Sequence, residues 1–345
     1  MAETTTASTP ESGTTDRSGP WGPWRLRRLR FPSRESWLRS LRRGWIVAGL
    51  ALLFGALLLG HGLVPNTVGN LGSLLETFLP WLGLAVPVLL VCALVRRSVT
   101  ALAALLLPAV VWADLFGGLV MPGKGGGPHN LRVLTHNVDA GNPDAEATAR
   151  DVVAARADVV ALEELTEQAR PVYQRVLDRE YPHHVVRGTV GLWSRFPIAQ
   201  GRTVDIGIGW PRALRAQVET PHGPVAFYVA HLASVRVGSS GFTSDQRNRT
   251  TELLGRQINT DPLDRVVVMG DLNGTANDRS LSPITSGLRS AQGAAGDGFG
   301  FSWPSGFPMA RIDHILVRGI TPAHSWVLPD SGSDHRPVAA DLYVR

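Results

Sequence analysis

Val266-Val267-Val268-Met269-Gly270-Asp271-Leu272-Asn273 is the stretch on which the reading of this chain turns. Three β-branched residues and a methionine predict a short buried strand, and Gly270 lets the backbone turn at its end. Such a strand delivers Asp271 and Asn273 to its carboxyl edge, with both side chains expected to be free. An aspartate that can take a proton, two residues from a neutral amide that both donates and accepts, suits holding and activating a water beside a phosphate. Asp-x-Asn also caps ordinary turns, so the rest of the chain has to decide.

Working outward, apolar strand-like runs alternate with amphipathic helical ones. The pattern predicts strands over 131–138, 158–162, 185–187, 190–193, 215–219, 225–231, 265–269, 312–317 and 338–343. It predicts helices over 144–156, 166–179 and 246–259. No solenoid period is present. The expectation is an α/β domain over 130–345, with sheets packed face to face and helices outside.

Polar residues recur where these strands end. They are Thr135-His136-Asn137-Val138-Asp139, Glu163-Glu164, His231, Asp271-Leu272-Asn273, Arg311-Ile312-Asp313-His314 and Ser333-Asp334-His335-Arg336. Each has an ordinary alternative. A histidine after a strand is commonly a satisfied structural group, and paired glutamates suit the start of a helix. Six such coincidences in one order point instead to a single site.

In these motifs, together with Trp193-Ser194-Arg195-Phe196-Pro197, the sequence resembles the endonuclease/exonuclease/phosphatase superfamily, whose fold is shared by DNase I-like nucleases, inositol phosphatases and sphingomyelinases. The resemblance covers essentially all of 131–345. It implies a four-layer α/β sandwich with one divalent-metal site, Mg²⁺ as a rule and Mn²⁺ as the alternative. Carried over position by position, it makes Glu164 the metal-binding glutamate, with Asn137 and Asp139 beside it. Asp271 and Asn273 orient and deprotonate the attacking water, and His335 contacts the scissile phosphate with Asp313 holding its imidazole. His231 matches a second histidine, and Asp334 completes the last motif. Arg212, Trp303 and Arg311 lie near motif ends and are candidates for binding substrate. Departures are His136, where many relatives carry an aromatic residue, and Glu163, which replaces a frequent glutamine.

The residues upstream of 130 have a different character. They carry 12 Lys/Arg against 6 Asp/Glu, whereas 130–345 carries 22 against 23. The basic excess is therefore outside the expected working domain, which argues against a protein that grips polyphosphate backbones and makes nucleic acid a poor partner. Residues 1–43 read as a disordered, basic cytoplasmic tail, its later part rich in arginine and tryptophan and suited to anionic lipid headgroups. Three apolar runs, about 44–64, 76–95 and 99–120, are each near the length needed to cross roughly 30 Å of hydrocarbon. Residues 121–129 form a Gly/Pro linker. Arginines before the first run and between the second and third face the cytoplasm by the positive-inside rule. Everything after residue 120 is then expected outside the membrane. Cys92 is the single cysteine, so no intramolecular disulfide forms.

This layout resembles the membrane-bound teicoplanin-resistance phosphatases of the VanJ type. That resemblance implies a hydrolase of a lipid (pyro)phosphate such as undecaprenyl pyrophosphate, with membrane lipids as its surroundings. An extracytoplasmic nuclease or a phospholipid phosphodiesterase is the alternative. A non-enzymatic interaction module would be expected to lose a metal ligand or water activator, and here Glu164, Asp271, Asn273 and His335 are all present. The sequence sets no oligomeric state.

Overall fold

The computed structural model describes residues 44–121, 123–238 and 241–345. The expected tail, 1–43, lies outside the described residues.

Two six-stranded mixed sheets form the body of the protein, beside a two-stranded antiparallel ribbon of β8 (Val237–Gly238) and β9 (Gly241–Phe242). The first has the order β13-β14-β1-β2-β4-β3 and the second β11-β12-β10-β7-β6-β5. In the first, β1 (Leu131–Asn137) lies parallel to β2 (Val159–Glu163) and antiparallel to β14 (Val338–Tyr343). In the second, β10 (Val266–Asp271) lies parallel to β7 (Gly223–Ala230) and antiparallel to β12 (Asp313–Arg318). The remaining pairings, among β3 (His183–Arg187), β4 (Val190–Ser194), β5 (Ile198–Thr203), β6 (Ala213–Thr220), β11 (Arg289–Ser290) and β13 (Thr321–Val327), are antiparallel.

Alternation along the strands builds the layers, because successive side chains point to opposite faces. Val133, Val159 and Ala161 enter the core between the sheets with Phe227, Val267 and Met269. Their neighbours Leu134, Val160 and Leu162 face outward and are covered by two helices, Ala145–Ala154 and Arg170–Leu177. On the other sheet, Tyr228, Val266 and Val268 are covered by Leu254 and Ile258 of the helix Asp245–Asn259. The result is helix, sheet, sheet, helix.

Two strands longer than two residues escaped the sequence pattern. Neither β5 (IAQGRT) nor β13 (TPAHSWV) shows a clean apolar alternation, and each lies at an edge of its sheet. The helix expected over 166–179 is shorter, Arg170–Leu177, with Pro171 in its first turn, a place that suits proline.

The N-terminal segment departs further from expectation. Its first helix, α1 (Trp45–Leu59), has 15 residues, about 22 Å at 1.5 Å per residue, and a 3₁₀ turn follows it. The second expected span is broken. α2 (Leu71–Thr77) and the run Leu79–Val95, which contains α3 (Ala85–Val95), are bent by 65°. Pro80, at the first turn of this run, explains a fresh helix start there, since proline lacks the N–H that would continue the preceding helix. Only α4 (Val99–Val120), 22 residues long, is among the described residues one unbroken apolar helix long enough to cross a membrane. α2 packs onto the sheet domain, and Ser73 and Glu76 are fully enclosed there. Glu76 therefore sits in a protein contact.

Candidate active site

The facing ends of β1, β2, β7, β10 and β12 bring the strand-end residues together. Asn137 pairs in register with Glu163, and the chain then turns at Glu164 through a left-handed φ of 59°. Asp271 lies opposite Asp313 in the β10–β12 ladder. Gly270 makes the crossing possible. Its φ is 136°, and a Cβ there would meet the Ala230 carbonyl oxygen at 2.0 Å, so no side chain fits.

Asp271 is the hub. Its Oδ2 accepts from Asn137 Nδ2 at 3.2 Å and from Asn273 Nδ2 at 3.1 Å, and its Oδ1 accepts from the Asn273 backbone N–H at 2.8 Å. Asn273 also donates to the Leu232 carbonyl. The expectation that both side chains would be free is thus corrected: the Asn273 amide is spent on holding Asp271. Burial pushes the Asp271 carboxyl up to about 7, with His335 pulling it down and Asp313 raising it.

Asn137 donates to Glu164 Oε1 as well, at 3.2 Å, so one amide bridges two carboxylates. The other oxygen of Glu164 accepts from the Ala140 N–H. His231 Nε2 stands 3.6 Å from both Glu164 Oε1 and Asp271 Oδ2 and has no hydrogen-bond partner among the described residues. Burial, Arg212 and the His335 charge keep its imidazole neutral, well below its ordinary pKa.

His335 completes the centre. Its Nδ1 is 2.9 Å from Asp313 Oδ2, which also accepts from Ser302 Oγ at 2.6 Å, and its Nε2 is 3.8 Å from Asp271 Oδ2. Burial opposes a charge on this ring, but Asp313 and Asp271 outweigh it and push the imidazole up to about 10. Asp313 is held below the usual carboxylate range: burial works against this, and the His335 charge and hydrogen bond overcome it.

Other predicted residues lie around this centre. Asp334 is more exposed and stands 3.9 Å from His335 Nε2. Arg212 donates to the Leu232 carbonyl and lines a cleft of about 230 Å³ with Glu164, Trp210 and His231. Asp139 joins the cluster through its backbone, whose N–H donates to Asn137 Oδ1 at 3.1 Å, while its carboxylate Oδ1 accepts from the Gly141 N–H at 2.8 Å. Arg311 is also outside it. Its guanidinium is buried, Nε and Nη1 have no partner among the described residues, and the charges that feel it are Lys124 and His314.

Two residues, Ser302 and Arg247, went unnoticed in the sequence, and Ser333 stood in a quoted motif without a role of its own. Ser302 holds Asp313, and Ser333 holds the Asn137 carbonyl and the His335 N–H. Arg247 binds Asp278 and the Asn273 carbonyl. Serines in loops carry no pattern, whereas an arginine on the apolar face of a helix is a detectable anomaly.

The model for the Endonuclease/Exonuclease/phosphatase family matches residues 134–335, more than half of the chain. The chain belongs to that family. Its fold also resembles that of solved structures. D. rerio TDP2 complexed with a single strand DNA product superimposes with a TM-score of 0.52 at 19% identity, over 61% of this chain and 98% of that one. The mannosyl-6-phosphatase of Bacteroides thetaiotaomicron gives 0.52 at 17% identity, over 62% and 99%. At such identities the likeness shows the fold alone. No curated protein matches the chain.

As a family member the chain is a metal-dependent phosphoester hydrolase, and the donor set fits a divalent cation. Ligand atoms of Asp271, Asp313 and His335 lie within 4.8 Å of one another, and buried Asp313 Oδ1 and His231 Nε2 lack partners among the described residues. Asp313 Oδ2 and His335 Nδ1 are, however, occupied by each other. Hard cations such as Mg²⁺ prefer oxygen ligands. The carboxylate oxygens of Asp271 and Glu164, bridged by Asn137 Nδ2, suit such an ion better, while Asn137 Oδ1 already accepts from the Asp139 N–H.

Proposed function

We propose that this protein is a membrane-anchored hydrolase of a lipid-linked phosphate or pyrophosphate, with undecaprenyl pyrophosphate as the candidate substrate. In this reading the catalytic domain lies outside the cytoplasmic membrane, α4 and the apolar helices beside it anchor it, and its activity affects sensitivity to glycopeptides such as teicoplanin.

The observation that carries the reading is the attachment of the apolar helices to the catalytic loop itself. Thr275 Oγ1 donates to the Glu76 carbonyl, the Arg279 N–H donates to the Glu76 carboxylate, and Ser73 Oγ donates to Asp278. These contacts begin two residues after Asn273. A tether that merely anchored the domain would need no such docking.

In the chemistry we assign, Glu164 with Asn137 would hold the divalent ion, which neutralises charge on the phosphoryl oxygens and the leaving group. Asp271 takes the proton of the attacking water, and Asn273 fixes the carboxylate that does so. Imidazolium His335, oriented by Asp313 and Ser302, donates from Nε2 to a phosphoryl oxygen as charge develops. Neutral His231 offers a second donor. Arg212 and Trp303 border the site and are placed to meet the rest of the substrate.

The test offers full-length protein in detergent three substrates with Mg²⁺: undecaprenyl pyrophosphate, single-stranded DNA and phosphatidylcholine. Phosphate release from the first, at a kcat/KM at least tenfold above the others, is expected. Preferential cleavage of DNA or of the phospholipid would replace the substrate and leave the site.

A further inference from the structure

A groove of about 480 Å³ separates the apolar helices from the catalytic domain, within the size range of sites that enclose small ligands, roughly 300–1,000 Å³. Its walls include Trp81, Leu84 and Val86 before and within α3, Ala109 of α4, and Phe299 and Phe301 of the catalytic domain. The polar edges of its tryptophans are already satisfied. Trp81 Nε1 donates to the Met309 carbonyl and Trp112 Nε1 to that of Pro80, which leaves ring faces and aliphatic groups as lining. The aromatic wall is continuous: ring centroids lie 5.7 Å apart for Trp81–Phe301 and 5.0 Å for Phe299–Phe301. Leu84, Val88, Leu106, Val110 and Phe307, on or next to these elements, are all exposed. An apolar surface of that kind marks a membrane or ligand contact.

Two features connect the groove to catalysis. Phe301 is followed directly by Ser302, whose Oγ donates to Asp313 at 2.6 Å, so the groove wall and the support of His335 are adjacent residues. Arg311, two residues before Asp313, is a buried cation whose Nε and Nη1 have no partner among the described residues, and Lys124 feels its charge. Arg311 does not line the groove, but the Ser302 N–H donates to the carbonyl of Ala310, the residue before Arg311. This positive charge therefore lies on the segment that joins the groove wall to the catalytic centre, and it suits a ligand that joins a phosphate to a hydrocarbon.

We propose that the groove seats the phosphate-proximal units of the substrate's prenyl chain, with the phosphate directed to the Asp271–His335 centre. This rests on the reading of the substrate as a lipid-linked phosphate. The groove is too small for a whole polyprenyl chain, and its exposed apolar rim hands the remainder to the bilayer. The N-terminal helices thereby form part of the binding site as well as an anchor.

The test is photolabelling of full-length protein in detergent by a diazirine-bearing farnesyl phosphonate, which cannot be hydrolysed. Label is expected on Trp81, Val86, Ala109 or Phe301, displaced by farnesyl phosphate and not by inorganic phosphate. Ala109→Trp, and separately Val86→Trp, should reduce that label at least tenfold. Each should also lower the kcat/KM preference for farnesyl pyrophosphate over a soluble aryl phosphate at least tenfold. Label confined to outward-facing Leu53, Val88 and Leu106, or labelling unchanged in both variants, would overturn the proposal. Palmitoyl phosphate displacing the probe as well as farnesyl phosphate would overturn the prenyl occupant. Groove labelling without hydrolysis of any prenyl pyrophosphate would remove the proposed function and leave the groove. Hydrolysis without groove labelling would do the reverse.

Discussion

His335 Nδ1 stands 2.9 Å from Asp313 Oδ2, and Asp313 lies directly across the β10–β12 ladder from Asp271. The pair keeps the imidazole charged and turns Nε2 toward Asp271, 3.8 Å away. After burial has worked against it, the charge survives through Asp313 and Asp271, with the ring raised to about 10 from 6.5. Activity that needs imidazolium is therefore retained at neutral pH and lost as pH rises through about 10. Asp313→Asn should move that descending limb toward 6.5 and lower kcat by about 10²–10⁴-fold, the usual worth of a positioned acid or base. A pH–rate profile checks this, and an unmoved limb would contradict it.

Glu164 should control metal affinity. Its carboxylate is turned toward Asn137 and Ala140 N–H by a left-handed backbone, so a shorter or neutral side chain cannot replace its charge there. Glu164→Gln is expected to raise the Mg²⁺ concentration for half-maximal activity by about 10–100-fold, the scale seen when support at metal sites is lost. Titration of activity against Mg²⁺ measures it, and an unchanged midpoint would move the metal elsewhere in the cluster.

Glu163 is a buried acid on β2 with one oxygen bonded by Thr135 and the other without a partner among the described residues. Burial, reinforced by Asp313, raises its pKa well above 4.5. The raised pKa favours the protonated form in the folded state where the unfolded chain has ionised, above pH 4.5, so folding there takes up protons and loses stability. Glu163→Gln removes that cost. It should stabilise the protein by roughly 1–3 kcal/mol at pH 7, and the gain should fade below pH 4.5, where both states carry the proton. Denaturation midpoints at pH 7 and pH 4 test the sign.

The legibility of the chain follows from where the information lies. The Val266–Asp271 strand is buried throughout, as its apolar run predicted, and the strand-end motifs meet because short strands in register must deliver their last residues to one edge. The Asn137, Glu164, Asp271, His231, Asp313 and His335 grouping could be read for that reason. The bonds that complete it could not. Asn273 spends its amide on Asp271, and Ser302 reaches Asp313 from a loop whose sequence has no period. The second apolar run looked continuous because hydropathy records composition, whereas the break at Thr77–Leu79 comes from Pro80 and from the docking of Glu76 onto Arg279.

That docking gives a further prediction. Glu76 is fully enclosed, and its carboxylate accepts from the Arg279 backbone N–H. Glu76→Ala leaves that donor without its partner and should cost about 1–3 kcal/mol. The fall in the melting midpoint of full-length protein in detergent reads it, with a loss of activity through the loop that follows Asn273. A midpoint unchanged from wild type would show that the helices are only tethered.

The central claim is that Asp271 activates water at a metal-dependent phosphohydrolase site. Phosphate release from undecaprenyl pyrophosphate by detergent-purified full-length protein tests it most directly, with Mg²⁺, with EDTA, and beside Asp271→Ala. The account predicts release that requires Mg²⁺ and falls by about 10²–10⁴-fold in the variant. Release that persists in EDTA, or in Asp271→Ala at the wild-type rate, would contradict it.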